Sequence, residues 1–285
     1  MKRYKKELNG KLEIGQVFYT KRFSLTVDRA LCKGCKLCEM ICPRDAIKLV
    51  PQPSVKGKAV APIIDVDVGK CDYHGICAVI CPFSAIKIHS GDVGGDMVEG
   101  AISVVKGVFP VLTRDLEIDE SKCKKGCKEC AEKCPLNVIE MKEKAVVGNR
   151  ELCAGCQICW EVCPEDAVKL TKFIEGVIRI DEKLCPKACK NCLDVCPVDA
   201  LYIDENKKVR VNDTNCIYCG ACETVCPVPE AINIKRTVVR HTPIESGAWY
   251  KGLERVTSFE GLNKEMGAIR AVKQRKAVGD LKEKK

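Results

Sequence analysis

The chain has 285 residues, of which 23 are cysteine and only 5% aromatic, with a formal net charge of +9. An odd cysteine count and an N-terminus, Met1-Lys-Arg-Tyr-Lys-Lys, without the apolar core of a signal peptide argue against an exported disulfide scaffold and for metal-bound thiolates in a reducing cytosol. The charge sits at the ends, with seven Lys/Arg against two acids in residues 1–25 and eight against three in residues 261–285, so the near-neutral body and the absence of a recognised motif argue against a nucleic-acid partner.

Residues 1–23 read as an N-terminal arm, in which Phe18, Tyr19 and Phe23 stand near basic residues and suit a grip on a partner. A first loop follows, Cys32-Lys-Gly-Cys35-Lys-Leu-Cys38-Glu-Met-Ile-Cys42-Pro43. This C-x₂-C-x₂-C-x₃-C-P spacing is a ligand loop for a [4Fe–4S] cluster: three thiolates curl round one cube, and the fourth, before proline, ligates a cube held by another loop. A Cys₄ zinc site draws instead on two separated cysteine pairs. An exposed stretch from Val50 to Lys58 leads on to the second loop, Cys71-Asp-Tyr-His74-Gly-Ile-Cys77-Ala-Val-Ile-Cys81-Pro82. Residues 90–115 are a linker whose glycines mark turns and whose Val, Ile and Phe residues suggest a hairpin.

The third loop holds Cys123, Cys127, Cys130 and Cys134, and the fourth Cys153, Cys156, Cys159 and Cys163. The fifth holds Cys185, Cys189, Cys192 and Cys196, and the sixth Cys216, Cys219, Cys222 and Cys226. The third and fifth carry an extra residue between their first two cysteines, and the last repeat an extra one after its proline, Pro227-Val-Pro-Glu-Ala231. Residues 237–285 form a basic tail, read as an amphipathic helix over part of Lys264–Lys285 or as a frayed end.

The flanks repeat with the loops. Four residues before each first cysteine stands Asp28, Asp67, Asp119, Asn149, Asp181 or Asn212, suited to the turn into the loop. Seven before it stands Leu25, Ile64, Leu116, Val146, Ile178 or Val209, an apolar strand residue. After each Cys-Pro comes Ala or Val with an aliphatic neighbour, such as Ala46-Ile47. Each unit is thus strand, ligand loop, short helix and strand. The expected fold class is α+β, with three tandem bacterial-type dicluster ferredoxin modules over 24–89, 116–171 and 172–236 between N- and C-terminal arms. With so few aromatics, about six clusters would act as staples, and the apoprotein should fold poorly.

Sequential pairing makes six ligand sets. They are Cys32, Cys35, Cys38 with Cys81; Cys71, His74, Cys77 with Cys42; Cys123, Cys127, Cys130 with Cys163; Cys153, Cys156, Cys159 with Cys134; Cys185, Cys189, Cys192 with Cys226; and Cys216, Cys219, Cys222 with Cys196. All 23 cysteines are used. Nested pairing stays open, because the spacer Glu165–Leu184 also resembles a link within a module. His74 stands where the other loops have their second cysteine: imidazole ligates that cube, or the centre is [3Fe–4S], or Asp72 or water serves. His89 and His241 have no ligand neighbours in sequence.

No G-x-G-x-x-G after a strand, no P-loop and no nucleophile–His–acid set offers a substrate site, so the chain reads as an electron-transfer protein and not an enzyme. No run of 18 apolar residues would span a membrane, which leaves peripheral association open and points to the cytoplasm. With its six loops over residues 24–236, its Leu25-Thr-Val-Asp-Arg-Ala-Leu-Cys32 opening and its Cys81-Pro-Phe-Ser-Ala-Ile86 segment, the sequence resembles the archaeal polyferredoxins, and among them the polyferredoxin subunit of formylmethanofuran dehydrogenase. The resemblance implies a subunit that relays low-potential electrons between a redox donor or acceptor and the catalytic subunits of a larger oxidoreductase. The polyferredoxin subunits of methanogen hydrogenases are the next most similar, and a freely diffusing multi-electron carrier is the third reading.

Overall fold

The structure is a computed structural model that describes residues 1–99, 110–244 and 246–257. In the first unit, β3 (Lys21–Asp28), α1 (Leu37–Ile41) and β4 (Ile47–Val50) form one repeat, and β5 (Ile63–Val66), α2 (Ile76–Ile80) and β6 (Ile86–Asp92) the next. The leading strand of each repeat pairs with the return strand of the other: β3 lies antiparallel to β6, with Leu25 opposite Ile88, and β4 to β5, with Ile47 opposite Val66. Alternation puts the apolar residues of both pairs on one face, where Leu25, Val27, Ile47, Ile64, Val66, Ile86 and Ile88 share one buried core.

The same plan recurs twice. In the second unit β8 (Glu117–Ile118) pairs with β11 (Val168–Lys169), and β9 (Ile139–Met141) with β10 (Ala145–Val147), around α3 (Glu129–Glu132) and α4 (Ile158–Glu161). In the third, β12 (Ile174–Ile180) pairs with β15 (Ile232–Val239), and β13 (Leu201–Ile203) with β14 (Val209–Val211), around α5 (Asn191–Asp194) and α6 (Ala221–Thr224). Consecutive repeats therefore fold together, and no strand pairing is nested among the described residues.

Both ends differ from the arms read in the sequence. Residues 1–23 form β1 (Lys2–Leu8), β2 (Lys11–Val17) and the start of β3, giving a five-stranded sheet in the order β1-β2-β3-β6-β7, where β7 is Met97–Glu99. The reason is alternation in Lys11-Leu12-Glu13-Ile14, which buries Leu12 and Ile14 against the first unit. Phe23 stacks on Tyr73 with ring centroids 6.2 Å apart. Hairpin β6–β7 begins the insert, and residues 100–109 lie outside the described residues.

At the other end, residues 237–244 and 246–257 fold onto the body and contribute to its core. β15 runs on to Val239, and α7 (Gly247–Val256) packs on α1. Trp249, Leu253 and Val256, spaced for one helix face, are buried in the core that joins the first and third units. A Cβ at Gly252 would lie 2.7 Å from Ile41 Cγ1, so glycine permits the close approach. Arg255 donates to the Cys42 carbonyl at 2.8 Å. The helix expected within Lys264–Lys285 lies outside the described residues.

Since Trp249 is 1% exposed, Trp249→Ala should cost about 3–5 kcal/mol. Denaturant unfolding of the loaded protein should show this loss, with an exposed-site control such as Tyr19→Ala near zero.

Candidate metal centres

Each ligand loop is entered through the same turn. The Oδ1 atoms of Asp28, Asp67, Asp119, Asn149, Asp181 and Asn212 accept from the amides two residues on, at 2.8–3.1 Å. In five of the six, the first cysteine's amide also donates to the carbonyl of that Asp or Asn at 3.0 Å. The fourth repeat departs. A 3-10 turn at Arg150–Leu152 hands Cys153 N–H to Arg150, and the buried strand residue is Ala145 where the sequence pattern pointed to Val146.

The exit from each loop locks it to its partner repeat. The amide four residues after the last cysteine donates to that cysteine's Sγ: Ala46 to Cys42, Ala85 to Cys81, Val138 to Cys134, Ala167 to Cys163 and Ala200 to Cys196, at 3.3–3.4 Å. The carbonyl of the same residue accepts from the partner repeat's entry turn. Asp28 donates to Ala85 and Asp67 to Ala46, each at 2.8 Å; Asp119 donates to Ala167, Gly148 to Val138, Asp181 to Ala231 and Asn212 to Ala200. The sixth repeat keeps only the second half of this lock. Its extra residue moves Ala231 out of phase, and the Ala231 amide turns to Val228 while Cys226 Sγ faces the Val228 carbonyl at 3.3 Å.

A feature the sequence reading missed makes this exit possible. Asp45, Ser84, Asn137, Asp166, Asp199 and Glu230, each just before the Ala or Val, all have φ between 47° and 68°. Asn and Asp tolerate this left-handed conformation better than most residues, and they fill four of the six positions. That recurring Asx was the visible signal.

The cysteines line spaces between the two repeats of a unit. Cys185, Cys189, Cys192 and Cys226 surround a cavity of about 330 Å³ counting its open mouth, and Cys123, Cys127, Cys130 and Cys163 one of the same size. Cys42, Cys71, Cys77, His74 and Asp72 line a third of about 270 Å³. For the remaining three sets the electrostatics give the neighbours. Cys81 acts on Cys35 and Cys38, Cys134 on Cys156 and Cys159, and Cys196 on Cys219 and Cys222. No three His, Cys, Asp or Glu side chains among the described residues converge as a single ion would need. Four soft donors round a space suit a thiolate-bound cluster better than a mononuclear centre.

Burial, and then repulsion from neighbouring thiols, pushes Cys159 up to about 12. Burial likewise moves Cys219 to about 12 and Cys156 and Cys216 to about 11. Without a bound cation these thiols keep their protons, so loading iron releases protons and binding weakens as pH falls.

His74 takes the place of a thiolate closely. In the regular loops the amide two residues on donates to the second cysteine, Leu37 to Cys35, Ile158 to Cys156 and Ala221 to Cys219. At His74 the Ile76 amide donates to Nδ1 at 3.2 Å. A thiolate has lone pairs for both a hydrogen bond and a metal. An imidazole nitrogen has one. Nε2 is buried without a hydrogen-bond partner, and Asp72 Oδ1 lies 3.6 Å away. Burial holds the ring below its ordinary pKa, outweighing Asp72, so it is neutral at neutral pH as a metal ligand must be.

These features define a ferredoxin-type iron–sulfur fold. Residues 31–85 and 184–229 match one family model described as a 4Fe-4S dicluster domain, and residues 115–164 match a second model of the same description. The chain thus carries three 4Fe-4S dicluster domains in tandem and is polyferredoxin-like. It is similar to a chain in the structure of the formate dehydrogenase–heterodisulfide reductase–formylmethanofuran dehydrogenase complex from Methanospirillum hungatei. That likeness has a TM-score of 0.75 and 28% identity, over 90% of this chain and 91% of the other. No curated protein matches the chain significantly. No described helix is long and apolar enough to cross a membrane.

The two loops with an extra residue between their first two cysteines make a local test. Gly126 in the third loop has φ 80°, and Ala188 in the same place of the fifth has φ 63°. A Cβ in this region costs about 1 kcal/mol. Ala188→Gly should raise stability by about that much in denaturant unfolding, and Gly126→Ala should lower it comparably.

Proposed function

We propose that the chain is a non-catalytic electron relay with six cluster sites, serving a catalytic oxidoreductase of the formylmethanofuran dehydrogenase type. The observation that carries this is the use of all 23 cysteines in six repeated sets, each set drawing three donors from one repeat and the fourth from its consecutive partner. When bound, the clusters would supply one-electron chemistry at low potential. The protein's part is to hold the thiols, aim backbone amides at their sulfurs and limit water. The match to a subunit of a methanogen oxidoreductase complex over nine-tenths of both chains supports the choice of partner.

Within the second set we assign His74 as the fourth donor, because its Nδ1 stands in the hydrogen-bonding position of a second cysteine. Using either ring nitrogen for iron means giving up the Ile76 bond in its present form: Nδ1 would spend its lone pair, and Nε2 would need the proton on Nδ1. This ligand costs a hydrogen bond that cysteine would keep.

Anaerobic purification from the native host tests the relay. About 24 iron per chain is expected for six four-iron clusters, together with formylmethanofuran dehydrogenase catalytic subunits in the same fraction. Hydrogenase subunits, or an unaccompanied chain, would refute the assignment of partner. For His74, reduction adds negative charge and favours the protonated ring, and burial holds that ring below its ordinary pKa, so one midpoint should stay level near pH 8 and rise as pH falls below about 6.5. His74→Cys should flatten it, and a pH-independent wild-type titration would sink the ligand assignment.

A further inference from the structure

The three units meet at three cations, each set between cysteine sets of different units. Arg236, 3% exposed on β15, donates to the Tyr218 and Cys219 carbonyls of the sixth loop at 2.7 and 2.8 Å. The same side chain lies 3.9 Å from Met40 Sδ in α1. A Cβ on Gly220 would meet both its Nη2, at 2.8 Å, and the Cys35 carbonyl, at 3.3 Å. Thr224 Oγ1 closes this contact by donating to the Gly34 carbonyl at 3.1 Å. Arg114 donates to the Pro82 and Cys81 carbonyls of the first unit, at 3.0 and 3.1 Å, and to the Cys153 carbonyl of the fourth loop. Lys172 packs its backbone beside Gly155 of the fourth loop and donates through Nζ to the Asp213 and Cys216 carbonyls, at 2.6 and 2.9 Å.

The three contacts close a triangle. Arg236 joins the set of Cys35 to that of Cys219, Arg114 joins the set of Cys81 to that of Cys153, and Lys172 joins the set of Cys156 to that of Cys216. Only three sets take part, one from each unit. They are also the more enclosed ones, with three of four thiols buried in each, while the sets of Cys123 and Cys185 have one buried thiol each. The cavities at Cys71, Cys123 and Cys185 belong to the other three.

We propose that the three inner cysteine sets form a three-way junction, and that Arg114, Lys172 and Arg236 are positioning residues that hold one positive charge between each pair of them. The proposal rests on the six-site relay reading above. A single-file relay has two ends; this layout has three, one outer set per unit. Burying clusters of net negative charge disfavours their reduction, and a fixed cation between two of them offsets that penalty for both.

The test is a redox titration of the fully loaded chain by electron paramagnetic resonance, with iron counted. Arg236→Met should shift two clusters, one in the first unit and one in the third, to lower potential by about tenfold in the reduced-to-oxidised ratio, or about 59 mV for one electron. Arg236→Lys should restore most of that shift. Lys172→Met should shift two clusters, and the Arg236→Met/Lys172→Met double variant three in all, because the set of Cys216 is common to both. Unchanged midpoints at full iron content would overturn the proposal. If Arg236→Met loses iron, Lys172→Met alone decides, since its side chain is only partly buried: a shift in two clusters supports the junction, and none refutes it. A wild-type chain that binds no four-iron clusters would instead refute the relay reading itself.

Discussion

One residue per repeat ties the fold to its chemistry. The Ala or Val after each Cys-Pro turn donates its N–H to the last cysteine's sulfur in five of the six repeats, and in all six its carbonyl accepts from the partner's entry turn. The orientation of the fourth thiol and the pairing of two repeats are therefore a single constraint. A repeat cannot aim that sulfur without its partner, nor pair differently without losing the aim. The strand pairs are short, two or three residues in places, and with so few aromatics the chain needs this lock to keep its modules in register.

Where the constraint is relaxed, the sequence already shows why. The extra residue after Pro227 puts Ala231 one position too far to reach Cys226. Amide hydrogen bonds to sulfur favour the more negative form of a cluster, so the set of Cys185, Cys189, Cys192 and Cys226 lacks one stabilising contact that its counterparts have. His74 is the other exception, and it too alters hydrogen bonding at the donor more than it alters the backbone.

Much of this was legible before the fold. Cysteine spacing, the Asp or Asn at the entry and the apolar residue ahead of it are local features, and local features repeat visibly. The left-handed residue before Ala46, Ala85 and their equivalents was also visible, but Ser84 and Glu230 broke the pattern. What the sequence concealed were contacts between distant segments. Leu12 and Ile14 alternate plainly, yet the basic composition around them suggested an arm. Trp249 and Leu253 find their core only because Ile41 lies opposite Gly252. Arg114, Lys172 and Arg236 look like ordinary surface charges in sequence, since their carbonyl partners lie 17 to 44 residues away and nothing nearby in the chain marks them.

The central claim is that consecutive repeats complete each other's cluster sites. An iron anomalous-difference map of the anaerobically crystallised, loaded chain tests it most directly. Six iron centres are predicted, each between two consecutive repeats, with Cys81, Cys42, Cys163, Cys134, Cys226 and Cys196 each reaching across to its partner's centre. Iron held by four cysteines of one loop, or by cysteines of non-consecutive repeats, would contradict the account.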